Sequence, residues 1–169
     1  MKRIIGVLTA LLSGLLVAAA FAPPASAAVR TWSTPVAYPY PGNWHCTERN
    51  TSTYSVDVCL INSHNGVEPV YKAVMIVWNH RSTGFQMSGA VINMWAQPSP
   101  STQVRDDACY DSGLSGGYRA ACYGTAITLS ALCDKKRDAT TATANGAVNI
   151  PAVASSRIAV ESPRVTVNC

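Results

Sequence analysis

Charge is scarce in this sequence. Only 13% of its 169 residues are Asp, Glu, Lys or Arg, and the formal net charge is +4. Lys2 and Arg3 carry two of those positive charges. The remainder is nearly neutral, which gives little attraction for nucleic acid or for an anionic membrane surface. Neither is expected as a partner. The one basic cluster, Lys135-Lys136-Arg137, is bracketed by Asp134 and Asp138 and reads as a solvated turn.

Histidine is scarce too. His45, His64 and His80 are the only three, and none has a partner at metal-ligand spacing. No Cys-x-x-Cys occurs, so no metal and no other cofactor is expected. The shortage also bears on Gly113-Leu-Ser-Gly-Gly117, a formal match to the G-x-S-x-G nucleophile elbow. That elbow needs an acid and then a histidine after the serine, and all three histidines precede Ser115. A His…Asp…Ser order stays formally open with His45 or His80, Asp57 or Asp106, and Ser112 or Ser115. It belongs to two-barrel proteases larger than this chain. Asp, Ser and Gly at 111–117 are turn formers, and a turn is the expectation. No catalytic residue is assigned.

Long apolar runs are absent after residue 22. Before it, Ile4 to Ala22 is uncharged and follows Lys2-Arg3; Pro23-Pro24 and Ala25-Ser26-Ala27 come next. This is the pattern of a secretory signal peptide over residues 1–27, cleaved after Ala27. Cleavage would leave 142 of the 169 residues, enough for one domain with a core. The expected product is secreted, extracellular and free of any membrane-spanning segment.

What the chain does have is cysteine. Cys46, Cys59, Cys109, Cys122, Cys133 and Cys169 all lie beyond residue 27. An even count in an exported chain implies three disulfides. The pairs 46–59 and 109–122 share one separation, 13, and each suits a clamped hairpin worth about 3 kcal/mol in the chain-entropy model. Cys133–Cys169 would then tie in the last residue.

The rest reads as strands. Thr53 to Ile61 and Pro69 to Trp78 are rich in β-branched and aromatic residues, joined through the turn signal Asn65-Gly66. The second run is apolar enough to be buried on both faces, with Lys72 as a gatekeeper. Arg81 to Gly84 is a turn. Phe85 to Trp95 follows, with Phe85, Met87, Val91 and Trp95 on one face and Gly89 marking a bulge or a close approach of another backbone. Residues 97–102 form a loop with two prolines. Tyr118 to Cys133 reads as strand from its threonines, with a partly helical alternative. Asn145-Gly146 is a second hairpin signal, and Val165, Val167 and Cys169 point inward at the end. Seven or so short strands with regular turns imply an all-β fold: a single antiparallel sandwich, immunoglobulin-like or Greek-key, held by three disulfides. It should span residues 45–169, after an extended Pro/aromatic segment at 28–44.

Two acidic groupings and one aromatic one remain. Asp106-Asp107 with Asp111 could ligate calcium but lacks the order of a known loop, so a solvated turn is expected. Glu48 and Asp57 are imaginable as the acid pair of a glycoside hydrolase, with nothing to fix their distance. Val36-Ala-Tyr-Pro-Tyr-Pro-Gly-Asn-Trp44 is stiff and ring-rich. Tyr38, Tyr40 and Trp44 could contact a glycan or protein, or could simply cover the end of the sandwich. The expected function is therefore a non-enzymatic secreted binding module, a monomer, for an extracellular glycan or protein. Inhibition of a hydrolase by the 109–122 loop is one form of it. A small secreted hydrolase and a structural envelope protein are the alternatives.

Overall fold

The computed structural model describes residues 28–169; the expected signal peptide lies outside them. In chain order the elements are β1 (Ala28–Arg30), β2 (Trp32–Ser33), β3 (Trp44–Asn50), β4 (Tyr54–His64), β5 (Pro69–Asn79), β6 (Phe85–Gln97) and β7 (Thr102–Cys109). Then come β8 (Ser112–Leu114), β9 (Arg119–Tyr123), β10 (Ile127–Thr128), α1 (Leu129–Lys135), β11 (Thr141–Asn149), β12 (Ile158–Glu161) and β13 (Val165–Thr166). Two sheets pack face to face as an all-β sandwich. Sheet I has the order β1-β7-β6-β11-β12, with β8 also on β6 and β13 also on β11. Sheet II has the order β2-β9-β5-β4-β3, with β10 also on β5. Every pairing is antiparallel except β1 on β7.

The period-2 pattern builds the core. Val56, Val58 and Leu60 of β4 and Met75 and Val77 of β5 face Ile92 and Met94 of β6 and Ala142, Ala144 and Val148 of β11. The alternate residues of β5, Val74 and Ile76, are buried on the outer side, so this strand is covered on both faces. Asn65-Gly66 does open the β4–β5 turn. Asn65 Oδ1 accepts from the Val67 and Glu68 amides, each at 2.9 Å, and Gly66 has φ 92°.

The three disulfides are Cys46–Cys59, Cys109–Cys122 and Cys133–Cys169. The first joins directly opposed residues of β3 and β4. The second does not clamp a hairpin. Cys109 ends β7 in sheet I and Cys122 lies in β9 of sheet II, so the bond crosses the sandwich. The segment between them adds β8 to β6, then turns where Gly117 N donates to Asn79 O at 2.9 Å. It lies against the 80–84 turn and does not project as a free loop: a Cβ on Gly116 would sit 2.4 Å from the Ser82 backbone.

Other expectations are corrected. Asn145-Gly146 lies inside β11, paired on both sides. Its glycine serves packing between sheets, since a Cβ there would come 2.5 Å from Val58 Cγ2. Gly89, with φ 57°, does sit at a bulge, where the β6–β11 register slips. The bulge reverses the face parity, so Ala90, Ile92, Met94 and Ala96 are buried while Val91 and Trp95 turn to the outer side. The 118–133 run is strand only to Thr128. That residue caps α1 by accepting from Ala131 N, and Glu68 accepts from Ser130 N at 2.7 Å. Asp106 and Asp107 are in β7, not in a solvated turn, and Asp107 is buried against Arg30 and Thr125. The start of the 28–44 segment pairs with both sheets: β1 adds to sheet I and β2 to sheet II. Val165 and Val167 point inward as expected, while Cys169 is exposed.

Candidate functional site

The outer face of sheet II is a grid fixed by register. One row across the strands is Glu48, Asp57, Ile76 and Ala121; the next is Asn50, Ser55, Trp78 and Arg119. On the other side runs Cys46, Cys59, Val74 and Tyr123. The apolar positions would lie bare without cover. The 34–44 segment supplies it by folding back over them.

The cover is a chain of rings. Tyr38 meets Tyr40 edge-on at 5.4 Å, Tyr40 stacks on Trp44 at 5.5 Å, and Trp44 meets Tyr123 edge-on at 6.1 Å. Tyr40, Trp44 and Tyr123 pack on Cys59, Ile61, Val74, Ile76 and Ala121 as a second small core. Of the three rings singled out from the sequence, two are therefore half-buried in this roof, over a sheet face and not over the end of the sandwich. Tyr38 alone is well exposed, at 67%.

Where the roof stops, a cleft opens. Its volume is about 210 Å³ and its walls are Tyr38, Tyr40, Glu48 and Asn50, with Asp57, Trp78 and Arg119. Asp57 is only 7% exposed. One carboxyl oxygen accepts from the Tyr40 hydroxyl; the other, Oδ1, is buried with no partner. Burial holds its proton affinity above the usual carboxylate range, the Tyr40 bond works against that shift, and the Glu48 charge adds to it. The Tyr40 hydroxyl is pushed up as well, first by burial and then by the Asp57 bond. Trp78 is engaged already: His80 stacks on it at 4.5 Å and the Arg119 guanidinium lies 5.3 Å from its ring centre. Arg119 Nη2 donates to Val36 O at 3.2 Å. Among the described residues no carboxylate makes an ion pair with it.

Of the other sequence candidates only His80 comes near the cleft, stacked on Trp78; the rest do not converge on it. His45 lies in β3, His64 accepts from Gly66 N, and His80 Nε2 is buried without a partner. Among the described residues no hydrogen bond joins a histidine to Ser112, Ser115, Asp57 or Asp106. Ser115 lies in the turn after β8, its carbonyl accepting from Tyr118 N. Asp111 accepts from Gly89 N at 2.8 Å, apart from the buried Asp107. Among the described residues no group of three or more His, Cys, Asp or Glu could hold a metal ion, and no helix is long and apolar enough to cross a membrane.

Glu48 and Asp57, paired only in imagination from the sequence, are directly opposed on β3 and β4. Trp78 and Arg119 were missed. Their signal was weak: a ring and a cation at strand ends, joined only by long-range register. No protein-family model matches the chain, and no curated protein matches it.

Proposed function

We propose that the protein acts outside the cytoplasm as a non-enzymatic binding module whose ligand seats in the Asp57 cleft. Three disulfides, with the leader read from the sequence, support export. The observation that carries the site is Asp57, which lines an aromatic-walled cleft and whose carboxyl oxygen Oδ1 is buried without a partner. Such an atom forfeits about 1–3 kcal/mol unless something completes its bond, and folds accept such a loss chiefly at functional positions.

The test is retention of the disulfide-intact protein on purified cell wall and on immobilised extracellular proteins, beside Arg119→Gln. Retention by one of the two, lost in the variant at an unchanged melting temperature, is expected. Retention that Arg119→Gln leaves intact would move the site elsewhere, and retention by neither would remove the reading.

A further inference from the structure

Resting on that reading of the cleft, we propose that its ligand is an uncharged glycan, of which one hydroxylated ring enters. Three observations converge on this chemistry. The first is the pairing of needs. Asp57 Oδ1 lacks a donor, and Arg119 keeps guanidinium N–H groups beyond the single one given to Val36 O. A hydroxyl both donates and accepts, so neighbouring hydroxyls of one ring meet both needs together. A purely cationic group would satisfy Asp57 and be repelled by Arg119. A purely anionic group would satisfy Arg119 and meet Glu48 and Asp57.

The second observation is the aromatic surface left over. A cage for a quaternary ammonium needs free ring faces, but Trp78 is engaged by His80 and Arg119, and Tyr40 by Trp44. Tyr38, at 67%, and the partly engaged Trp78, at 38%, are the rings with exposed surface in the cleft, Tyr38 at its rim. One phenol face suits the C–H side of a sugar ring. The third is size. A volume of about 210 Å³ lies below the roughly 300–1,000 Å³ of sites that bury a whole drug-sized ligand. That admits one ring with its hydroxyls, while the rest of a chain passes out over Tyr38.

The experiment is an amide-resolved NMR titration of the disulfide-intact protein. The probes are cellotetraose, chitotetraose, xylotetraose and mannotetraose, beside tetralysine, tetragalacturonate and tetraglycine, each to about 10 mM so that weak millimolar binding registers. Saturable shifts at Tyr38, Asn50 and Arg119 are expected with at least one neutral oligosaccharide. Asp57→Asn should weaken that binding about tenfold or more, since it replaces a charge-assisted bond. Tyr38→Ala, on the exposed ring at the cleft rim, should weaken it several-fold with the spectrum of sheet I unchanged. Shifts in the cleft with only a charged or peptide probe would overturn the glycan assignment and leave the cleft as a binding site. Sugar-induced shifts confined to sheet I, or no shift with any probe, would overturn both.

Discussion

The two outer faces of the sandwich carry similar rows of side chains and meet different surroundings. Across sheet I run Asp106, Asn93, Asn145 and Glu161, beside Ala108, Val91, Ala147 and Ala159. Across sheet II run Glu48, Asp57, Ile76 and Ala121. On sheet I the polar row stays near water, with Asp106 and Glu161 exposed. Asn93 pairs sideways, its amide donating to Asp106 at 2.7 Å. One amide oxygen, Asn145 Oδ1, is shielded and unpartnered there too, but a neutral amide loses far less on burial than a carboxylate. On sheet II a disulfide and a roof of rings close over the row, and Asp57 is stranded beneath their edge. Strand register sets out the residues; the covering segment leaves one of them a buried carboxyl with an unpartnered oxygen.

The comparison can be broken first at the staple. Cys46→Ala with Cys59→Ala should lower stability by about 3 kcal/mol in denaturant unfolding, from loop entropy. A loss under about 1 kcal/mol would mean that the roof holds the face without the bond. The roof comes next. Trp44→Ala should cost about 2 kcal/mol, less than a fully buried tryptophan because the ring is half-exposed. Asn145→Ala on the bare face should stay within about 0.5 kcal/mol. Equal costs would erase the distinction between the faces.

A smaller effect, and a sharper one, is in the pH dependence. Asp57 binds its proton more tightly in the fold than in the unfolded chain. Its contribution is therefore fully present below the ordinary aspartate value near 3.9, and it is lost as pH rises through the higher folded value. Glu68 works in the opposite sense, because its bonds from Ser130 lower its affinity for a proton. Its share is present above the ordinary glutamate value and is lost as pH falls. Subtracting the stability curve of Asp57→Asn from that of the wild type isolates Asp57. The difference should move in favour of Asn as pH rises, and a flat difference would place Asp57 in water. Smallest of all, Tyr38→Ala should leave stability within about 0.5 kcal/mol while weakening ligand binding; a large loss of stability would put Tyr38 inside the roof.

Local chemistry made much of the fold legible. Partial alternation in β4, the continuous apolar run of β5, the Asn65-Gly66 turn and the cysteine spacings are all patterns local to the sequence. The misreadings share a cause in the third dimension. Cys46–Cys59 and Cys109–Cys122 have equal separations, yet one bond lies within a sheet and the other spans two. Asn145-Gly146 has the chemistry of a turn, but Val58 on the facing sheet decides what its glycine is for. Gly89 was seen as a bulge, and the parity change that follows from a bulge was not carried to Val91 and Trp95. The cleft was least legible. Tyr38, Tyr40, Asp57 and Arg119 come from three separate stretches, and only register and the folded-back segment bring them together.

The most direct test of this account is a carbon-13 NMR titration of the Asp57 side-chain carboxyl in the disulfide-intact protein. A midpoint above the ordinary aspartate value is predicted, because roof and sheet together keep water from that carboxyl. A midpoint at or below the ordinary value would show a solvated or fully partnered group, and the cleft would lose the feature on which its function was argued.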